Sequence, residues 1–231
     1  PAILEGSPAA ALEAGELYVV YGGAALKRSV LLDPLPDGRG IAISGDYAGQ
    51  QLGLHVAGGA DFNGDSKADL LTGLHPNSNN LTYGGVGTVV ENPVMSQALA
   101  ATKHAAIEDA SVYKLPQSLA VVGDVNGDGK DDWLATSARN IALVFGQGDD
   151  SLPVLISDLQ TSGKGILRTR VTGAAGVAAV ASAGDVNGDK VSDFSYCDEL
   201  QAGTSCEVFF GPVAASATLA RGDWRLNGFN S

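Results

Sequence analysis

Short apolar runs alternate with polar, glycine-rich segments along most of this chain. Short runs bounded by Gly, Asn and Asp are typical of strands joined by tight turns. Three pairs of such runs flank one recurring acidic segment, and a strand, a turn and a strand form a β-hairpin. The pattern therefore predicts three hairpins. Their strands are 54–57 with 69–72, 119–122 with 132–135, and 177–180 with 193–196.

Two further strands are predicted for each hairpin. A third strand ends on an aromatic-Gly pair at Phe145-Gly146 and at Phe210-Gly211, and 87–90 takes this place in the first unit without the aromatic. A fourth strand is predicted to open each unit. Four short strands in about 60 residues make one blade of a β-propeller. The predicted opening strands are 40–43, 104–107 and 165–168, and the predicted blades are about 40–91, 103–147 and 164–212.

The two ends of the chain carry isolated strands. Residues 1–14 are an N-terminal lead, and 15–231 form the predicted propeller segment. Within it, 15–22 is typical of the closing strand of a preceding blade, and 223–231 of the opening strand of a following one. Propellers have four to eight blades, so we expect these strands to pair with strands outside this sequence. The pattern over 94–112 leaves a short helix and a long loop equally open.

The acidic segment between the hairpin strands reads Asp-x-Asn-Gly-Asp-x-x-x-Asp. Its copies are loop 1 (61–69), loop 2 (124–132) and loop 3 (185–193), so their starts are 63 residues apart (61 to 124) and then 61 apart (124 to 185). Oxygen-bearing side chains at positions 1, 3, 5 and 9 suit a calcium ion. A near-constant period indicates a repeat array in which each unit carries one such loop.

The acidic loops have two other interpretations. An EF-hand needs a bidentate Glu at position 12 and flanking helices, but position 12 is Thr72, Ala135 or Tyr196 and the flanks follow a strand pattern. The loops could also be turns without a metal, because Asn and Gly favour turns in any case. Three copies in the same register favour calcium over a simple turn.

These features resemble the FG-GAP repeat of the integrin α-subunit β-propeller and its bacterial relatives. Leu52-Gly53 stands for the Phe-Gly of that family, and 73–75 stands for its Gly-Ala-Pro. The resemblance covers roughly 15–230, and the acidic loops are its most specific part. The matching segments of the later repeats are degenerate: 116–117 and 175–176 for the first motif, 135–137 and 196–198 for the second.

The resemblance implies an all-β fold, a β-propeller with about three full blades plus flanking strands here, as part of a larger, seven-bladed propeller. It also implies three Ca²⁺ sites, each using the side chains at positions 1, 3, 5 and 9 and the backbone carbonyl at position 7. The implied ligands are Asp61, Asn63, Asp65, Lys67 and Asp69; Asp124, Asn126, Asp128, Lys130 and Asp132; and Asp185, Asn187, Asp189, Val191 and Asp193.

Charge and cysteine content narrow the functional classes. The 231-residue chain carries a net charge of −12, which disfavours nucleic acid and anionic membrane surfaces as partners. It has no apolar run long enough to span a bilayer. No signal peptide is visible, and a chain that begins at Pro1 suggests processing or trimming. Cys197 and Cys206 lie across a predicted turn, and a disulfide between them would indicate an oxidising compartment.

Weaker motifs are interpreted as ordinary structure. Arg221-Gly222-Asp223 matches a tripeptide that integrins recognise, but Gly and Asp also favour turns. Asn80-Leu81-Thr82 is an N-glycosylation sequon. The residues His55, His75 and His104 lie near no candidate nucleophile, and no nucleophile elbow, phosphate loop or zinc cluster is present. We therefore do not expect an enzyme.

The sequence favours a secreted or cell-surface, calcium-stabilised β-propeller that binds a protein or carbohydrate ligand in adhesion. Additional blades from the same or another chain are expected partners. The alternatives are the propeller domain of a secreted hydrolase, a lectin, and a spacer in a large adhesin. The ligand, the total blade number and the calcium affinity do not follow from the sequence.

Overall fold

The computed structural model describes the chain at 13–22, 39–46, 48–73, 84–90, 97–98, 104–109, 118–136, 140–147, 154–155, 158–169, 179–200, 203–217, 219 and 222–227. These residues form sixteen β-strands in four sheets and no α-helix. The prediction of an all-β fold is therefore confirmed. The sequon at 80–82 and His75 lie outside the described residues.

Two sheets are formed by the first half of the chain. The N-terminal sheet has the order β1-β2-β6, with β1 (Glu16–Val20), β2 (Gly40–Ser44) and β6 (Gln97–Ala98). Sheet 1 has the order β11-β7-β5-β4-β3. Its strands are β3 (His55–Ala60), β4 (Asp69–Gly73), β5 (Gly84–Val90), β7 (His104–Asp109) and β11 (Val154–Leu155).

The second half of the chain forms two four-stranded antiparallel sheets. Sheet 2 has the order β12-β10-β9-β8, with β8 (Ser118–Gly123), β9 (Asp132–Thr136), β10 (Asn140–Val144) and β12 (Gly165–Thr169). Sheet 3 has the order β13-β14-β15-β16, with β13 (Ala179–Gly184), β14 (Asp193–Leu200), β15 (Gly203–Phe209) and β16 (Trp224–Asn227).

The predicted strands form, but the fourth strand of each unit pairs differently from the prediction. Strands β2, β7 and β12 were predicted to open the units that follow them. Instead each pairs antiparallel with the strand before it in sequence, as β1-β2, β5-β7 and β10-β12. Each hairpin therefore continues outward into its own third and fourth strands. The pairing of β16 with β15 is the same arrangement in sheet 3.

Each end strand pairs with a strand of this sequence on one side, β1 with β2 and β16 with β15. Both lie at the edge of their sheets among the described residues, so the expected pairing with strands outside this sequence stays a prediction. The segment 94–112 contains β6 and β7, so no helix forms in its described part. Two-residue strands β6 and β11 add parallel to the outer strands β2 and β7 of the preceding sheets. They cover edges that would otherwise expose unpaired backbone groups.

The core lies between successive sheets. Leu17, Ile43 and Leu52 pack with Leu70 between the N-terminal sheet and sheet 1. A second cluster joins sheet 1 to sheet 2, and a third joins sheet 2 to sheet 3. Because successive strand residues point to opposite faces, β9 sends Trp133 toward sheet 1 and Leu134 toward sheet 3. Both faces of sheet 2 are therefore buried.

Candidate functional site: three stacked acidic loops

The first Asp of each loop organises the backbone of the turn. In loop 2, Asp124 Oδ1 accepts the N–H groups of Gly127 and Asp128 at 2.6 and 3.1 Å, and its Oδ2 accepts that of Gly129 at 2.8 Å. Asp61 and Asp185 accept the equivalent three N–H groups in loops 1 and 3 at 2.7 to 3.0 Å. One carboxylate therefore fixes half of each loop.

The remaining oxygen-bearing residues also repeat their contacts. The side-chain oxygen at position 3 accepts the N–H of position 5, and Oδ1 of position 5 accepts the N–H of position 7, in all three loops. At position 9, Oδ2 accepts the N–H of position 2 at 2.8 to 3.0 Å. The three loops thus share one hydrogen-bonded conformation, each between the two strands of a hairpin.

Positive backbone φ angles explain the glycine of the motif. Position 4 has φ of 79°, 79° and 83° in the three loops, and each of these residues is Gly. Position 6 has the same left-handed conformation, but only loop 2 places a Gly there. Ser66 and Lys190 adopt φ of 65° and 74° at this position, a conformation that is costly for residues with a Cβ.

The last Asp of each loop differs from the others in burial. Asp69, Asp132 and Asp193 are fully buried, whereas the side chains at position 5 are exposed. Burial raises the pKa of Asp132, hydrogen bonds from Gly146 and Val125 lower it, and the negative charges of Asp128 and Asp124 raise it, for a pKa of about 7. A cation bound beside these three carboxylates would offset the repulsion between their charges and favour the ionised form of Asp132.

Neighbouring loops are hydrogen-bonded to one another. The N–H of Asp131, at position 8 of loop 2, donates to the carbonyl of Asp61, at position 1 of loop 1, at 2.9 Å. The N–H of Ser192 donates in the same way to the carbonyl of Asp124 at 3.3 Å. Between loops 1 and 2 the Asp131 side chain adds a second link, because its Oδ2 accepts the N–H of Asp61 at 2.8 Å.

The glycine of the aromatic-Gly pair lies where two loops meet. Gly146 donates its N–H to Asp132 Oδ1, and Gly211 donates to Asp193 Oδ1. A Cβ on Gly146 would lie 2.7 Å from the carbonyl oxygens of Asp131 and Phe62, one in each adjoining loop. Gly211 has the same surroundings between loops 3 and 2. The sequence showed this pair, but not its role in holding the loops together.

The donor set of each loop fits a hard divalent cation. Positions 1, 3, 5 and 9 supply three carboxylates and one amide oxygen, which are ligand types that calcium prefers. In the described part of the chain, no three His, Cys, Asp or Glu side chains are already grouped as a metal site. The flanking strands exclude an EF-hand, since all three loops connect antiparallel strands.

A second polar cluster, absent from the sequence predictions, joins sheet 3 to sheet 2. Glu207 on β15 is 2 % exposed and accepts hydrogen bonds from Arg225, Gly222, Arg168 and Tyr196. Burial alone would raise the pKa of Glu207, but these four donors outweigh it and lower the pKa to about 2. One feature of the sequence indicates this buried charge. Glu207 lies two residues before Phe209, so both side chains are on the same face of β15, and Phe209 is buried.

The predicted disulfide is present. Cys197 and Cys206 are directly opposite each other on β14 and β15 and are joined with an S–S distance of 2.09 Å. The two strands continue past the cysteines to the pair Leu200 and Gly203, so the connecting turn is shorter than the predicted 198–205. Both cysteines lie on the face of sheet 3 that points away from sheet 2.

The weaker sequence motifs have structural explanations where they are described. Gly222 is buried and donates to Glu207, and Asp223 accepts the N–H of Phe210. Two residues of the Arg-Gly-Asp tripeptide are thus engaged within sheet 3. His55 and His104 lie in strands β3 and β7. The described residues contain no helix that is long and apolar enough to cross a membrane.

Comparison with known proteins gave one match. Residues 115–141 match the family model of the FG-GAP repeat, which confirms the resemblance at loop 2 and its two hairpin strands. A search of curated protein sequences found no match to the chain. The chain therefore carries an FG-GAP repeat at this segment, and this repeat, with the all-β sheets on either side of it, supports a propeller-like fold.

Proposed function

We propose that this protein is an extracytoplasmic, calcium-stabilised β-propeller module that binds a protein or carbohydrate ligand in adhesion. Three Ca²⁺ ions occupy the loops, held by the side chains at positions 1, 3, 5 and 9 and the carbonyl at position 7. The observation that carries the proposal is that all three loops share one conformation with an oxygen-only donor set. Their role is structural, because each loop joins two strands of one sheet and contacts the next.

The Ca²⁺ ions neutralise charge that the fold concentrates. The second loop alone holds Asp124, Asp128 and the buried Asp132, beside Asp131. A cation bound only by the native state stabilises that state by mass action. At about 100 times its Kd, each calcium ion would contribute about 2.7 kcal/mol. The disulfide supports an oxidising, extracytoplasmic compartment.

Additional blades are proposed partners, on the outward face of sheet 3. Position 2 of the loop is buried between sheets in loops 1 and 2, where Phe62 and Val125 are 3 % and 0 % exposed. Val186, the same position in loop 3, is 43 % exposed. Trp224 and Leu226, 55 % and 68 % exposed, share the face of β16 opposite Arg225. A further sheet packed there would bury these three side chains, as sheet 3 buries Val125 at the same position of loop 2.

Metal removal tests the calcium proposal. The protein is dialysed against EDTA, its melting is followed by circular dichroism, and calcium or magnesium is then restored. We expect a lower Tm in EDTA, full recovery with calcium and poor recovery with magnesium, which prefers a tight octahedral site. An unchanged melting curve in all three conditions would reject the proposal.

Binding to a glycan array, with and without calcium, tests the ligand. Calcium-dependent binding to defined glycans would identify a carbohydrate ligand. An array that stays negative under conditions where calcium is bound would remove the lectin version and leave a protein ligand. Pull-down of purified extracellular-matrix proteins then tests that version, and no calcium-dependent binding in either assay would contradict an adhesion role.

A further inference from the structure

Hydrogen bonds between loops 1 and 2 connect residues that are proposed to bind cations in the two loops. Asp61 is held on both sides of its backbone by a single residue of loop 2: its carbonyl accepts the N–H of Asp131, and its own N–H donates to the Asp131 carboxylate. Asp131 is not among the oxygen donors of loop 2. It lies between Lys130 and Asp132, at positions 7 and 9, which are both proposed donors.

We infer that Asp131 is a positioning residue that makes cation binding in loops 1 and 2 mutually reinforcing. The inference rests on the proposed function, since it concerns the same calcium sites. A cation in loop 2 fixes positions 7 and 9, and thereby the residue between them. That residue then holds Asp61, the first donor of loop 1, in place before its own cation arrives. Because the first ion has already ordered Asp61, binding of the second ion loses less conformational entropy. The two binding events are therefore positively coupled.

The packing around the two loops supports the same direction of coupling. A Cβ on Gly64 would lie 3.3 Å from Lys130 Cγ, so the stem of Lys130 lies against loop 1. Gly146 lies against both loops and donates to Asp132. Displacing either loop would therefore disturb the other. The negative charge of Asp131 between the loops also offsets the repulsion between two bound dications.

The three loops differ in a way that provides an internal control. Loops 2 and 3 share only the backbone bond from Ser192 to Asp124, at 3.3 Å, with no carboxylate equivalent to Asp131. Loop 2 lies between loops 1 and 3, donating to loop 1 through Asp131 and accepting from loop 3 through Asp124. The coupling should therefore be strongest between loops 1 and 2, weaker between loops 2 and 3, and absent between loops 1 and 3.

The test is isothermal titration of the full chain with calcium alone. One pair of proteins is Asp189→Ala, which leaves loops 1 and 2, and Asp189→Ala/Asp128→Ala, which leaves loop 1. We expect the Kd of loop 1 to rise about fivefold when loop 2 is disabled, at the low end of typical coupling between sites. The reciprocal pair, Asp189→Ala and Asp189→Ala/Asp65→Ala, should show the same factor for loop 2, because coupling is reciprocal. The control Asp128→Ala leaves loops 1 and 3. It should bind calcium at loop 1 with the same Kd as Asp189→Ala/Asp128→Ala.

Substitution of Asp131 then identifies the link. In the Asp189→Ala background, Asp131→Ala should remove most of the coupling, whereas Asp131→Asn, which keeps an oxygen acceptor but loses the charge, should retain the larger part of it. If both variants lose the same amount of coupling, the hydrogen bonds of Asp131 do not transmit it and the inference is wrong. If calcium binds but loop 1 has the same Kd with and without a working loop 2, the inference is wrong while the proposed function stands. Absence of any calcium binding to the unmodified chain would reject the proposed function itself.

Discussion

Sheet 2 and sheet 3 have the same strand order and the same acidic loop, yet their environments differ. Sheet 2 lies between two other sheets, and β9 is buried along its whole length. Its loop contacts loop 1 on one side and loop 3 on the other. Among the described residues, sheet 3 packs against another sheet on one face only, and loop 3 is exposed from position 1 to position 6. Equivalent residues therefore contribute differently to the stability of the protein, because their neighbouring sheets and loops differ, as in other repeat proteins.

The largest predicted difference concerns one leucine in each of these two sheets. Leu143 on β10 is fully buried between sheets 2 and 3, and Leu226 on β16 is 68 % exposed. We expect Leu143→Ala to lower the free energy of unfolding by about 4 kcal/mol through lost burial and a cavity. Leu226→Ala should change it by no more than about 0.5 kcal/mol. Urea denaturation measures both, and comparable losses would mean that a partner covers sheet 3 in solution.

The second prediction separates the structural Asp of loop 2 from its exposed neighbour. Asp132→Ala leaves the buried N–H groups of Val125 and Gly146 without an acceptor, which should cost about 3 kcal/mol even in EDTA, and more with calcium present because the ion of loop 2 is also lost. Asp128→Ala removes an exposed carboxylate, so its cost should appear in calcium and nearly vanish in EDTA. Thermal melting of both variants in each condition makes the comparison. An Asp128→Ala penalty that persists in EDTA would assign this residue a purely structural role.

The third prediction concerns the polar link between the two sheets. Glu207 has a pKa of about 2 in the folded protein, below the ordinary value of 4.5. Its contribution to stability is therefore present above about pH 4.5 and is lost as the pH falls toward 2. Glu207→Gln should cost about 2 kcal/mol at pH 7, less than a fully buried ion pair because Arg225 is partly exposed.

The difference between the wild type and Glu207→Gln should shrink as the pH is lowered through this window. Urea denaturation at a series of pH values measures it. A Glu207→Gln penalty that stays constant down to pH 2.5 would show that the carboxylate charge does not carry the link.

The smallest effect concerns position 6 of the loops. Gly129 has φ of 86°, and Ser66 adopts φ of 65° at the same position of loop 1. Gly129→Ser should destabilise the protein by about 1 kcal/mol, and Ser66→Gly should stabilise it by several tenths, because the left-handed conformation is costly only for residues with a Cβ. Denaturation midpoints measure both. Shifts of the same sign would mean that the two loops differ in backbone conformation.

The sequence predicts the local elements of this fold well. The hairpins, the loops and the disulfide pair all follow from residue types at fixed spacing, which act over a few residues. The partner of each fourth strand did not follow, because the apolar pattern of β7 or β12 is compatible with either neighbouring unit. In the structure, β7 pairs with β5 and β12 pairs with β10, each with a strand that precedes it in the sequence.

Contacts between units were equally hidden from the sequence. Arg168 and Glu207 are 39 residues apart, and Asp61 and Asp131 are 70 apart. Their interactions exist only because whole sheets pack face to face. The acidic loops themselves were predicted correctly as turns between strands. Calcium binding within them stays a prediction, since the same Asx-type hydrogen bonds would form in a turn without a metal.

Calcium stoichiometry tests the central claim most directly. The full chain is equilibrated with calcium, freed of unbound metal by dialysis against a defined free-calcium concentration, and analysed for bound metal per protein. The account predicts three calcium ions per chain, falling to two in Asp128→Ala with the protein still folded. No bound calcium at millimolar free concentrations, or an unchanged number in Asp128→Ala, would contradict it.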